Sequence, residues 1–211
     1  MKHLPGTLLV LFLAQHAIGQ IPNPATLPPL DLYFQQEVNY RIAASLDDVK
    51  HTLQGNIEFE YINNSPDALS QIWVHLWANA FKNRRSAYSK QTLRDGNGKF
   101  YFAEDKDLGG YKALDFSADG QKIAWKYDPI HPDIAVLDLA QPLQPGNSVR
   151  IATPFLLKIP ASFSRLGHVE TSYQMTQWYP KPAVYDHKGW HAMPYLDIGE
   201  FYAEFGSFDV T

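Results

Sequence analysis

From residue 37 onward apolar and polar side chains alternate with a period close to two. Val38, Tyr40 and Ile42 are separated by Asn39 and Arg41, and Leu53, Gly55, Ile57, Phe59 and Tyr61 by Gln54, Asn56, Glu58 and Glu60. Successive side chains of an extended chain point to opposite faces, so each run predicts a strand with one buried face. The link between them, Leu46-Asp47-Asp48-Val49, is short and polar, which predicts a hairpin. Asn63, Asn64, Ser65, Pro66 and Asp67 form a concentrated turn signal, and the stretch IWVHLW at 72–77 then resumes as a strand apolar on both faces, expected at the centre of a sheet. Further strands are expected at 100–103, 112–116, 122–126, 134–139, 149–155 and 205–210, divided by turns such as Asp119-Gly120 and Pro145-Gly146. Only 79–91 offers a helical turn, and it is polar. Short strands at this spacing predict an all-β chain, a saddle-like β-sandwich of antiparallel and mixed strands with long aromatic-rich loops.

The first 36 residues follow a different pattern. Lys2, the apolar run LPGTLLVLFLA at 4–14 and the small residues around Gly19 have the layout of a secretory signal peptide, expected to be removed after Gly19. The run is well short of the roughly 20 residues that a membrane-spanning helix requires. Pro22, Pro24, Pro28 and Pro29 make 20–36 an extended linker, leaving 37–211 as the folded domain. The expectation is an exported protein, periplasmic or secreted, with no membrane span.

Composition narrows the chemistry. The 211 residues contain no cysteine, which removes thiol nucleophiles, redox pairs and zinc ribbons. Eighteen basic against 22 acidic residues give a net charge of -4, and no basic run exceeds Arg84-Arg85, so a nucleic-acid groove is not expected. His187 and His191 are spaced for one zinc on a helix, but Lys188 stands where a catalytic Glu is needed, and Gly189, Pro182 and Pro194 oppose a helix. A surface turn is the expectation there. Asp47-Asp48 and the 104–107 cluster lie beside no apolar sequence that could desolvate a catalytic acid, and they read as solvated loops. Asn63-Asn64-Ser65 has the pattern of a glycosylation sequon, and no Gly-x-Ser-x-Gly elbow occurs.

Residues 173–205 stand out. Trp178, Tyr179, Tyr185, Trp190, Tyr195, Phe201, Tyr202 and Phe205 crowd together among Pro180, Pro182 and Pro194. Prolines interrupt regular pairing, so an ordered loop system is expected, either as an aromatic edge of the core or as a surface that lines a cleft or packs on another domain.

Here the sequence resembles the N-terminal domain of the aminopeptidase N family of zinc metallopeptidases, especially its exported bacterial branch. The resemblance runs from about Tyr40 to the end: the hairpin at 46–55, the strand and turn IWVHLWANA at 72–80, the loop SFSRLG at 162–167, and, most specifically, QWYPKPAVYD at 177–186. It implies a β domain set in front of a thermolysin-like catalytic domain, with one Gln or Glu reaching into the cleft to accept a hydrogen bond from the free amino group of a peptide substrate. Gln177 matches that role, with Gln174 three residues earlier as the alternative. Trp178, Tyr179, Tyr185 and Trp190 would then line the cleft or the domain interface. The chain contains no His-Glu-x-x-His, no downstream Glu ligand and no Gly-x-Met-Glu-Asn strand. It is therefore expected to hold no cofactor and to be inactive alone, with zinc and catalysis belonging to a catalytic domain of the same polypeptide beyond Thr211. The competing expectation is a free-standing exported adhesion or carbohydrate-binding module that stacks sugars on Trp178, Trp190 and Tyr185.

Overall fold

A computed structural model describes residues 33–211. The expected signal peptide and most of the expected linker lie outside the described residues.

The fold is all-β, as the alternation predicts. The first two runs are β1 (Glu37–Asp47) and β2 (Thr52–Ile62), an antiparallel hairpin in which Val38 faces Tyr61 and Tyr40 faces Phe59. Its turn is tied by Asp47, whose Oδ1 accepts from the Val49 and Lys50 N–H groups at 3.1 and 2.9 Å. After β3 (Leu69–His75) come a 3-10 turn over Trp77–Phe81 and the short helix α1 (Ala87–Arg94), capped by the Ser86 hydroxyl accepting from the Ser89 N–H. The last two residues of the expected central strand thus belong to the turn. The expected strand at 100–103 is not one. Phe100 is instead a plug, 1% exposed and edge-on to Tyr88 and Phe163, while Phe102 next to it is exposed, so packing of one ring overrode the β-propensity of the run.

β4 (Gly110–Leu114) and β5 (Ser117–Ala118) lie end to end along one neighbour, β9 (Ser148–Lys158). The break between them sits opposite Pro154, which has no N–H to donate, and the Asp115 N–H goes to Thr153 Oγ1 at 2.8 Å instead. The expected strand at 122–126 is also divided. β6 (Gln121–Lys122) pairs with β5, whereas β7 (Trp125–Tyr127) crosses to the other sheet and pairs with β8 (Ile134–Leu143). Ile123, buried between them, marks the crossing. Then follow the hairpin β10 (Leu166–Val169) and β11 (Ser172–Met175), the two-residue β12 (Lys181–Pro182), the hairpin β13 (Val184–Asp186) and β14 (Gly189–His191), and β15 (Gly206–Val210).

The larger sheet runs β15-β1-β2-β9-β5-β6 with β4 also on β9, and β15 is parallel to β1. The smaller runs β12-β3-β8-β7, so β3 is an inner strand as its two apolar faces predict. Tyr40, Ile57, Phe59 and Ile151 from the first sheet and Ile72, Val74 and Leu137 from the second share one hydrophobic core. Asn63 closes the turn after β2. It is fully buried, donates to the Asp67 and Leu143 carbonyls at 2.7 and 3.0 Å, and accepts from the Ser65 hydroxyl at 2.6 Å. Its amide nitrogen is committed inside the fold, so in the folded chain the sequon is not open to a glycosyl transferase.

Candidate functional site

The site grows from the junction of β3 with β12. Pro180 and Pro182 flank Lys181 and fix the backbone on both sides, leaving room for only two paired residues: Lys181 opposite His75 and Pro182 opposite Val74. The segment is anchored beyond by the Ala183 N–H donating to the Trp73 carbonyl at 2.8 Å. Upstream, Gln177 takes a left-handed backbone, φ +56°, which turns the chain out of the β11 hairpin and into β12. A residue with a β-carbon adopts this conformation at a cost of about 1 kcal/mol, and here it aims the side chain back along the segment. The Gln177 Oε1 accepts from the Lys181 Nζ.

Lys181 is only 6% exposed. Its ammonium lies 4.5 Å from the ring centre of Tyr179 and 5.0 Å from that of Trp77, an aromatic cage that compensates part of the lost hydration. Burial pushes its pKa down to about 8. Beneath it His75 stacks on Trp77 with centroids 4.2 Å apart, and the two bracket one residue of main chain: Met193 N–H donates to His75 Nε2 at 3.1 Å, and Trp77 Nε1–H donates to the Met193 carbonyl at 2.9 Å. Burial first, and the Lys181 charge second, hold the His75 pKa down to about 3, so this imidazole is neutral and serves as an acceptor.

Asp133 supplies a second anchor for the aromatic segment. Its carboxylate is fully buried, and Oδ2 accepts from the Tyr195 N–H at 2.6 Å. Burial raises its pKa to about 6, with the Tyr195 N–H opposing. The folded state therefore holds its proton more tightly than the unfolded chain. The stability this group contributes is full below about pH 4 and is lost as pH rises through about 6, a loss on the order of 2–3 kcal/mol. Asp133→Asn should flatten that part of the stability profile, measured by urea denaturation from pH 4 to 7.5; an unchanged slope would remove Asp133 as its source.

The predicted site residues separate into two groups. Gln177, Trp178 and Tyr179 gather with Lys181; Trp178 packs on Phe155, and Tyr179 is edge-on to Tyr40. Tyr185 and Trp190 form a cross-strand pair on the β13–β14 hairpin, with Trp190 over Tyr61 and the Tyr185 hydroxyl donating to Asp67 Oδ2 at 2.8 Å. All four rings are half-buried and pack against the core. Gln174 is exposed on β11, where its backbone pairs with Gly167. His187 and His191 fall on a hairpin rather than a helix, and His191 Nε2 lies 2.8 Å from Asp186 Oδ1. Among the described residues no group of three or more His, Asp or Glu side chains is arranged to hold a metal. Sequence reasoning missed His75, Trp77, Lys181 and Asp133. The one signal available was a lysine set between two prolines inside an aromatic run, an unusual place for a freely solvated charge.

No protein-family model matches the chain, and no curated protein matches it by sequence. Among solved structures, it is similar to an M1 zinc metallopeptidase E323A mutant from Deinococcus radiodurans (12% identity, TM-score 0.32, 60% of this chain and 20% of that one). The same mutant bound to a Tyr-Ser-Ala substrate gives 12% identity and TM-score 0.37, over 64% and 24%. Yeast LTA4 hydrolase in complex with bestatin gives 12% identity and TM-score 0.31, over 57% and 14%. The chain thus spans less than a quarter of each of these proteins.

Proposed function

We propose that this chain is the exported, cleft-forming N-terminal β domain of a zinc aminopeptidase, and that Gln177 receives the free amino group of the peptide substrate. The observation that carries this reading is the Gln177 carbonyl, partly exposed and turned by a left-handed backbone, already accepting a hydrogen bond from an ammonium. An amide carbonyl oxygen has two lone pairs, so one that accepts from the Lys181 ammonium can still receive one N–H of an incoming amino group. The QWYPKPAVYD motif, the part of the resemblance with the highest specificity, begins at this residue.

In this reading the domain binds and orients, and the aromatic loops keep bulk water from one wall of the cleft. Zinc, held by the catalytic domain of the same polypeptide, would supply the activated water. The sugar-binding alternative needs exposed rings lying in one plane. Trp178 and Trp190 are half-buried, and Tyr185 and Trp190 meet at 59°, which favours the peptidase reading. The test compares peptides with free and with acetylated amino termini as substrates of the parent polypeptide. Only the free form should be cleaved.

A further inference from the structure

We propose that Lys181 is a specificity-determining residue of the Gln177 site: its ammonium holds the inner side of the amide oxygen, so the site takes an incoming amino group in its neutral form more readily than as a second ammonium. The inference rests on the reading of Gln177 above and adds to it the residue that sets which amines can bind.

Four features carry it. An ammonium is a donor only, so the Gln177 atom that faces Lys181 must be the carbonyl oxygen, and the amide NH2 is left on the other side. Lys181 cannot swing away, because its strand is pinned on β3 between two prolines and its stem is 6% exposed under Tyr179 and Trp77. No carboxylate forms an ion pair with it among the described residues, and its titratable neighbours Tyr179 and His75 are both held neutral by burial, so no opposite charge offsets it for whatever shares the oxygen. Burial without a counter-charge lowers its pKa to about 8, which leaves it protonated at neutral pH.

Two donors on one carbonyl oxygen sit about 5 Å apart. Like charges at that distance, in surroundings between water and protein interior, weaken binding by roughly 10- to 100-fold. An α-amino group, whose ordinary pKa is about 8, escapes the penalty by binding neutral, with one N–H donated to the oxygen. A side-chain ammonium, with a pKa near 10.4, stays charged and is disfavoured. Lys181 thereby selects peptide amino termini over lysine side chains.

The experiment follows the side-chain amide resonance of Gln177 in the 211-residue chain by NMR at pH 6.5, where an α-amino group is charged, during titration with trialanine or N-acetyl-trialanine. Lys181→Met keeps the stem between the two rings and removes the charge; Lys181→Gln serves the same purpose if the Met variant does not fold. Trialanine should shift the resonance at roughly 10- to 100-fold lower concentration in the uncharged variant than in the wild type. Lys181→Arg should behave as wild type, and the acetylated peptide should have no effect on any of them. Equal trialanine affinity in wild type and uncharged variant would overturn the role of Lys181 while leaving Gln177 as the amine acceptor. An amide that responds to neither peptide, or to both alike, would overturn the Gln177 reading and this inference with it.

Discussion

Gln177→Ala should lower kcat/KM of the parent polypeptide for peptides with a free amino terminus by roughly 3- to 10-fold, the effect of losing a hydrogen bond of about 0.5–1.5 kcal/mol. The loss should exceed that of Gln174→Ala, because Gln174 lies exposed on β11, three residues before the turn that aims Gln177 at Lys181. Alanine at 177 also frees Lys181 from its partner, but the aromatic cage stays in place, so the variant should fold. Steady-state kinetics of the two variants side by side decide the matter. An unchanged rate for Gln177→Ala together with a loss for Gln174→Ala would transfer the role.

The largest expected stability effect is at Trp77. Trp77→Ala should destabilise the chain by about 3–5 kcal/mol, the range for truncating a buried aromatic residue. The indole is 1% exposed, stacks on His75, packs against Phe201 with centroids 4.8 Å apart and donates to the Met193 carbonyl. Its removal opens a cavity under the aromatic segment and strips one wall from the Lys181 cage. Urea denaturation of wild type and variant measures it. A loss below about 1 kcal/mol would mean that the 189–195 segment is held by something other than this bracket.

Much of the fold is legible because a period of two is a local signal. Val38, Tyr40, Ile42, Ile57, Phe59 and Tyr61 are buried as their alternation requires, and β3, apolar on both faces, is an inner strand. What a local pattern does not carry is the choice of partner. The alternation at 205–210 predicts a strand, but its parallel pairing with β1 joins residues about 170 positions apart in sequence, and no short window encodes that. Phe100 fails for a related reason: its ring is claimed by Tyr88, Phe81 and Phe163 from three other segments.

The motif names candidate residues but not the packing around them. Gln177 and the four aromatic residues could be named from the resemblance, whereas the burial of Lys181 depends on Trp77 and His75, a hundred residues earlier in the chain. By composition a lysine is expected in solvent. Pro180 and Pro182 hold this one in the sheet, and only the assembled sheet reveals what they hold it against.

The central claim is that these residues form the part of a peptidase that grips an amino terminus and owns no metal. The most direct measurement is peptide cleavage by the parent polypeptide and by residues 1–211 alone, each with zinc and then with a chelator. The account predicts stepwise removal of residues from a free amino terminus by the parent only, abolished by the chelator, with acetylated peptide left intact. Cleavage by residues 1–211 alone, or equal cleavage of acetylated peptide by the parent, would contradict it.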